Sequence, residues 1–369
     1  MSAVSSPEPR RSGKAVFAWI ASLFTLKRDQ FHAVRGLIGA AVVFVPLIAL
    51  KAVGHEELWL SFSFGALFTY QCDLAALNQA YATRVRWSAA FVLVGMLLTA
   101  LGYLLGGAGW VLVALAVFVS TLLSYLAAAY GPHGAVAGVL LNIWFLIVLS
   151  TTAALGEPPA QTWSRAGPQV LAWLAGGVLW LPLSWAWLRL QRAPQPSLPP
   201  PAQTKALGRV SRPQATFAGL AALAVALATA VAWAFDIRNA DWMPVAAIVA
   251  MKPSLEASVY VGGQRVAGTL VGAVLAAILL TIVDDRTLLI VLIVVLATVG
   301  GMVHDVSYAL YCACISTEVL ISLGLPHPGS LADNWQRVAW TLAGVAIALA
   351  VTYLADMAHK RAPHRTVTA

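Results

Sequence analysis

Charged residues are scarce in this sequence. Asp, Glu, Lys and Arg make up only 10% of its 369 residues, whereas 60% are hydrophobic. A soluble domain typically carries about 25% charged residues, because water must solvate its whole surface. The shortage excludes a mostly soluble protein and indicates that lipid surrounds most of the surface.

Cysteine is scarce as well. Cys72, Cys312 and Cys314 are too few and too apolar in setting for a disulfide framework or a zinc site, so they are predicted to be small buried side chains. The sequence predicts no metal and no cofactor. Its net charge of +8 does not indicate nucleic-acid binding, because the basic residues lie in short segments between apolar runs.

Long apolar runs are what the sequence does contain. A membrane-spanning helix needs about 20 apolar residues, and the runs of suitable length are 34–53, 88–106, 109–130, 134–154, 168–188, 213–235, 265–283, 287–303, 305–324 and 336–357. Two further runs, 58–71 and 241–251, are too short. Irregular backbone is not tolerated against lipid, so helices are expected throughout. The sequence predicts an all-α polytopic membrane protein with about twelve transmembrane helices.

Basic residues set the orientation of these helices. If each run crosses the membrane once, 18 of the 23 Lys and Arg residues fall on one side. The other side receives Lys51, Arg165, Arg238, Arg286 and Arg337. Because basic residues accumulate on the cytoplasmic side, both termini are predicted to be cytoplasmic, in a multi-pass protein of the plasma (inner) membrane.

A Pro-rich segment divides the chain and is predicted to be an extended cytoplasmic linker. Six helices on each side of it give both halves the same orientation, which predicts two parallel six-helix repeats. Apolar residues at helical spacing in 15–31 predict an amphipathic helix on the cytoplasmic membrane surface. The predicted parts are a cytoplasmic segment, a first membrane half, the linker, a second membrane half and a tail, at residues 1–33, 34–189, 190–212, 213–357 and 358–369.

Four pairs of residues occupy matching places in the two halves. A tryptophan opens each short run, an acidic residue lies fourteen positions later, an arginine opens each third span, and a histidine precedes each fifth span. The pairs are Trp59 with Trp242, Asp73 with Glu256, Arg84 with Arg265, and His133 with His304. Their common order supports an internal duplication.

The second half also carries a family pattern. Trp242 opens the short run, and Lys252 follows it in a basic loop. Arg265 then begins an Arg-x-x-Gly-Thr-x-x-Gly series whose glycines are Gly268 and Gly272. This pattern resembles the fusaric acid resistance family, which includes aromatic acid exporters and is similar to the plant aluminium-activated malate channels. The resemblance implies a membrane permease that exports organic or aromatic carboxylates.

The first half departs from that pattern. Trp87 and Ser88 stand where Gly and Thr are expected after Arg84, and Phe91 replaces the second glycine. The resemblance therefore covers the second half, roughly residues 213–357.

Unusually short runs at matching places are the best sequence indication of a transporter's substrate site. The basic residues that follow them are predicted to form an inner positive ring for a carboxylate substrate. Its members are Arg84, Arg86, Lys252 and Arg265. The alternative is that these residues only orient the protein in the membrane.

Four further residues of the short runs and their loops have two interpretations each. Asp73 and Glu256 either form salt bridges with the cations or gate the ring. Trp59 and Trp242 either stack on an aromatic substrate or belong to the aromatic belt of the outer interface. Gly268 and Gly272 are assigned to close helix packing.

Glu318 lies near the middle of the run 305–324. A carboxylate at that depth is costly and indicates a functional site. It is predicted to carry a proton, with His304 and Asp305 as a relay at the inner end. The alternatives are a hydrogen-bonded glutamate that holds helices together and polar residues that face the headgroups.

Together these features favour a permease that exports small organic or aromatic carboxylates and is driven by protons. A passive organic-anion channel is the main alternative; a membrane scaffold or an embedded transferase is less favoured, and no enzyme activity is predicted. The expected partners are the lipid bilayer and a small organic anion, with no nucleic acid. A homo-oligomer and a periplasmic export partner are left open.

Overall fold

A computed structural model describes residues 18–19, 21–76, 79–156, 159–191, 208–235, 237, 242–324 and 332–361. Within these residues every regular element is a helix. The membrane region consists of α1 (Ala33–Ala52), α2 (Trp59–Ala75), α3 (Tyr81–Leu105), α4 (Trp110–Leu126), α5 (Pro132–Ala154), α6 (Pro159–Gln191), α7 (Arg212–Ala234), α8 (Trp242–Ala250), α9 (Leu255–Ile282), α10 (Arg286–Val303), α11 (Tyr308–Gly324) and α12 (Ala332–Arg361).

Nine helices of the described residues are long and apolar enough to cross a membrane. The helices α2, α8 and α11 are shorter, with 17, 9 and 17 residues. The predicted all-helical membrane class is confirmed. The count of twelve spans and the two parallel repeats remain predictions, and the greater part of the linker 190–212 lies outside the described residues.

Several helices of the second half begin at a side-chain cap. The hydroxyl oxygens of Ser211 and Ser254 accept hydrogen bonds from backbone N–H groups three residues later, at 3.3 and 3.2 Å. The carboxylate of Asp285 accepts two, at 2.7 and 3.1 Å. Such caps satisfy N–H groups that the helix itself cannot pair, so they fix where α7, α9 and α10 start.

The first helix of each half packs against the other half as well as against its own. The first helix of the chain, α1, packs against α10 of the second half, and α7 packs against α4 of the first half. A hydrogen bond from the Tyr125 hydroxyl to the carbonyl of Ile248, at 2.7 Å, adds a link between α4 and α8. Each half therefore depends on the other for a membrane-embedded contact.

The short run 241–251 contains a helix of nine residues, which reaches about 14 Å against a hydrocarbon core of about 30 Å. Most of α8 is buried, including Met243, Ala247 and Ile248. Irregular backbone follows it, and Pro253 prevents the helix from continuing. Met251 at the start of this break is buried, whereas Pro253 and Ser254 are exposed.

The third span of the second half begins earlier than predicted. The sequence placed it at 265–283 with Arg265 at its opening, but α9 starts at Leu255, where Ser254 caps it. Arg265 therefore lies inside the helix, about 15 Å from its first residue at 1.5 Å per residue. Arg84, by contrast, lies in the first turn of α3.

The amphipathic helix predicted for 15–31 is shorter than expected within its described part. Residues 18–19 and 21–23 are helical, 25–27 are irregular, and Arg28–Gln30 form a single 3₁₀ turn. Side chains of the second half bond to the carbonyls of Ser22 and Leu23, and the N–H of Lys27 donates to Val306. Tertiary hydrogen bonds thus replace those that a regular helix would form.

Candidate functional site

Arg265 of α9 lies beside the first turns of α11. Its Nη1 atom donates a hydrogen bond to the Tyr308 hydroxyl at 3.3 Å, and Tyr311 and Cys312 lie within electrostatic range. Its Nε atom is buried and has no hydrogen-bond partner among the described residues. No carboxylate of the described residues pairs with it. The residue as a whole is half-buried. An arginine stays protonated in proteins, so this site holds a positive charge that is partly shielded from solvent.

Two glycines bring Arg265 against α11. A Cβ atom on Gly268 would collide with the backbone carbonyl of Ala309, and one on Gly272 would lie 2.6 Å from the carbonyl of Ala313. Only glycine permits so close an approach of two helix backbones. The approach sets α9 and α11 in a fixed register, which places the guanidinium beside the first turn of α11.

Three polar residues meet at the inner end of this helix pair. The Asp305 carboxylate accepts a hydrogen bond from Arg35 of α1 and one from the His304 ring at 2.7 Å. The hydrogen bond from His304, together with the charge of Arg35, lowers the pKa of Asp305 to about 2. Asp305 therefore stays ionised near neutral pH. The His304 ring also meets the Tyr311 ring edge-on, with centroids 4.8 Å apart.

Glu318 lies about two turns beyond Tyr311 on α11. No cation lies near it on its own helix, but Arg337 of α12 lies within electrostatic range of Glu318. The guanidinium carbon of Arg337 in turn lies 3.8 Å from the centre of the Trp242 ring, a cation–π contact that covers one face of that ring.

These contacts form a polar track through the second half. It runs from the inner end of α11 past its first turns to the start of α12, which lies on the outer side in the predicted orientation. At its inner end His304 contacts Asp305 and Tyr311, and Arg265 bonds to Tyr308. Further along α11, Glu318 lies within electrostatic range of Arg337, which contacts Trp242. The polar track consists of Asp305, His304, Tyr311, Tyr308, Arg265, Glu318, Arg337 and Trp242.

Two predicted residues of the second half lie apart from the polar track. Lys252 lies between α8 and α9, where its backbone N–H donates to the Ser258 hydroxyl at 2.9 Å. Burial lowers the pKa of its ammonium group. Glu256 is exposed in the first turn of α9. Within the described residues neither side chain forms an ion pair, so the predicted bridge or gate at Glu256 has no partner there.

The first half neutralises its matching arginine. Arg84 donates from Nε and Nη2 to the two carboxylate oxygens of Asp73, at 2.8 and 2.5 Å. The indole N–H of Trp180 lies 3.4 Å from the same carboxylate, and both charged side chains are buried. Arg86 is exposed on the next turn. The predicted ring of four available cations is therefore wrong at Arg84.

Large aromatic side chains fill the first half where the second half is polar. Trp144 and Trp173 are fully buried and stack with ring centroids 4.6 Å apart. Ile147 stands at the place that matches Glu318. Trp59 donates its indole N–H to the carbonyl of Val43 at 2.9 Å, which ties α2 to α1. No counterpart of the polar track is found among the described residues of this half.

Sequence reasoning overlooked the contacts of Arg35, Arg337 and Tyr308. Arg35 and Arg337 were counted only as orientation signals, since every basic residue near a span end has that explanation. Tyr311 lies seven positions before Glu318 and shares its helix face, and Tyr308 lies three positions before Tyr311. This spacing was the signal that could have identified Tyr308.

The fold and site define a polytopic helical membrane protein whose second half contains a half-buried cation, Arg265. Residues 215–351 match the family model described as fusaric acid resistance protein-like. The family resemblance inferred from the sequence is therefore confirmed for the second half, which carries the polar track. Comparisons with curated proteins and with solved structures gave no match.

Proposed function

We propose that this protein is a transporter that exports small organic anions, aromatic carboxylates among them, through its second half. The observation that carries the proposal is the half-buried guanidinium of Arg265, which no carboxylate of the described residues neutralises. A fixed charge in such a setting is stabilised by an anionic ligand. The family match over residues 215–351 supports the same class of function.

The chemistry around Arg265 suits a carboxylate that has shed its water. A guanidinium offers several N–H donors in a plane, a geometry that matches two carboxylate oxygens. The Tyr308 hydroxyl lies within hydrogen-bond distance of the same guanidinium and offers a further donor. The rings of Tyr308 and Tyr311, with centroids 6.0 Å apart, offer edge contacts to an aromatic substrate.

Transport into inside-out vesicles tests the role of Arg265. With radiolabelled benzoate as the probe, Arg265→Ala is expected to lower uptake to the level of protein-free vesicles, and Arg265→Lys to retain a fraction. Arg86→Ala is the matched control, because Arg86 is exposed and lies outside the polar track. Full uptake by Arg265→Ala would show that these arginines only orient the protein.

Proton coupling is the finer part of the proposal. Glu318 allows two states beside Arg337: an ionised carboxylate whose charge the guanidinium partly balances, or a protonated, neutral carboxyl group that makes the path more positive for a passing anion. Alternation between these states would exchange an outgoing anion for an incoming proton. A mid-membrane carboxylate is suited to this role because it is costly to keep there without a function.

The nearness of Arg337 also supports the passive channel, since the arginine can serve as a permanent counter-ion for Glu318. Glu318→Gln separates the two functions, because glutamine keeps the size and hydrogen bonding but cannot titrate. A proton-coupled exporter is expected to lose benzoate accumulation driven by a pH gradient while it keeps counterflow exchange. Unchanged gradient-driven accumulation would favour the channel.

The basic-residue asymmetry supports cytoplasmic termini in the plasma (inner) membrane. In that orientation the inner end of the polar track, at Asp305, faces the cytoplasm. A cysteine at position 200 labelled only from the cytoplasmic side would agree with this orientation, and labelling from outside would reverse it.

A further inference from the structure

The inner end of α9 extends beyond α11. The contacts of Gly268 with Ala309 and of Gly272 with Ala313 fix the register of the two helices. In that register α11 begins beside Arg265, whereas α9 began about 15 Å earlier at 1.5 Å per residue. The first turns of α9 therefore form a ledge, a stretch of helix surface that projects past Arg265 on its inner side.

Residues 21–32 lie on this ledge. The hydroxyl of Tyr260 donates to the carbonyl of Ser22 at 3.1 Å, and the Gln264 amide donates to the carbonyl of Leu23 at 3.0 Å. The Leu23 side chain is only 2% exposed. Just before this segment, the Trp19 ring lies where a Cβ atom on Gly263 would meet it at 3.0 Å.

The other end of the segment is attached to the connection between α10 and α11. The N–H of Lys27 donates to the carbonyl of Val306 at 2.9 Å, and that of His32 to Met302 at 3.4 Å. The ion pair between Arg35 and Asp305 follows directly. Residues 21–32 thus bridge from α9, next to Arg265, to the residues just before Tyr308. The segment thus reaches both partners of the hydrogen bond between Arg265 and Tyr308 from their inner side.

We infer that residues 21–32 are a removable cover over the cytoplasmic side of Arg265, with Leu23 as its anchor. The inference rests on the proposed function, because a cover there matters only if anions reach Arg265. The Arg35–Asp305 pair forms the fixed end of the cover. Its middle is attached by isolated backbone contacts and one buried apolar side chain, an arrangement that can detach without unfolding a spanning helix.

The cover has a matched pair of positions that tests it. Leu23 is buried against α9, whereas Leu26, three residues later, is 49% exposed. An aspartate at position 23 would have to bury its charge or leave the ledge, and an aspartate at position 26 would remain in solvent. Leu23→Asp is therefore expected to detach the cover, and Leu26→Asp to leave it in place.

Access beneath the cover can be measured without transport. Ser307 lies between the cover contact at Val306 and Tyr308, and it is 4% exposed. Ser307→Cys, with the three native cysteines replaced by alanine, places a thiol there with little change in size. In inside-out vesicles, Leu23→Asp is expected to raise the rate of labelling by a membrane-impermeant maleimide at least tenfold, and Leu26→Asp to leave it unchanged.

A second reporter shows whether the fold survives. Native Cys72, 1% exposed in the first half, should stay unlabelled in Leu23→Asp when it is the only cysteine. If it becomes reactive, the milder Gln264→Ala replaces Leu23→Asp and is judged by the same criterion. Labelling of position 307 that stays at the wild-type rate in a folded variant would overturn the cover. Since labelling needs no substrate, a failure of the proposed transport function would appear only in the benzoate assay.

Discussion

The two halves of the molecule treat matching arginines in opposite ways. Arg84 shares two hydrogen bonds with Asp73 in a buried pair, whereas Arg265 reaches a tyrosine hydroxyl and no carboxylate of the described residues. A paired guanidinium has no net charge to offer a ligand, and an unneutralised one does. The comparison shows that matching sequence positions can have different partners, and it supports the proposed anion site in the second half.

Helix packing explains part of this difference. The second half has Gly268 and Gly272 where α9 meets the α11 backbone. The first half has Trp87 and Phe91 at the matching places on α3. Trp87 meets the His133 ring edge-on at 4.3 Å, so side chains rather than backbones form that contact. Close backbone approach in the second half leaves room for an arginine but not for a large aromatic residue.

The largest expected effect on stability follows from the ion pair of the first half. Removing one partner of a buried pair leaves the other charge uncompensated and typically costs about 3–5 kcal/mol. Arg84→Ala is therefore expected to lower the thermal unfolding midpoint and the yield sharply. The double variant Arg84→Met, Asp73→Leu is expected to recover most of both, because it buries no charge.

Arg265→Met in the second half is expected to leave the thermal unfolding midpoint level or to raise it. The variant removes a half-buried charge that has no carboxylate partner among the described residues. Benzoate transport should nevertheless be lost. Thermal unfolding in one detergent would compare all three variants. Equal losses of stability from Arg84→Ala and Arg265→Met would remove the distinction between the halves.

Composition and the Arg-x-x-Gly-Thr-x-x-Gly series were enough to predict the membrane class and the family of the second half. Asp73 and Glu256 do not occupy equivalent places in the structure, although each lies fourteen residues after a tryptophan. Equal spacing in sequence does not show where a helix breaks. Asp73 lies near the end of α2, which runs to residue 75, whereas α8 ends at residue 250 and puts Glu256 in the next helix. Arg337 was missed beside Glu318 because helical periodicity shows neighbours on one helix only.

A smaller effect should come from the glycine contact that positions Arg265. A methyl group at Gly268 would overlap the α11 backbone, and overpacking of this kind costs about 1–3 kcal/mol. Gly268→Ala should lower the unfolding midpoint and weaken benzoate uptake as α11 moves away. Gly219→Ala is the control, because a Cβ atom there meets nothing within 4 Å and helix propensity should gain about 0.5–1 kcal/mol. The same loss in both variants would mean that the close approach is not what positions the site.

The smallest expected effects separate the two tryptophans that open α2 and α8. Trp59→Phe removes the hydrogen bond to the Val43 carbonyl, a loss of about 1 kcal/mol, and it should leave transport unchanged because Trp59 lies outside the polar track. Trp242→Phe weakens the cation–π contact with Arg337, worth about 0.5–2 kcal/mol. Because Arg337 belongs to the polar track, this variant should also change the apparent affinity for benzoate. Initial uptake rates over a range of benzoate concentrations, measured beside the unfolding midpoint, distinguish the two. An altered affinity in Trp59→Phe, or an unaltered one in Trp242→Phe, would argue against a transport path confined to the second half.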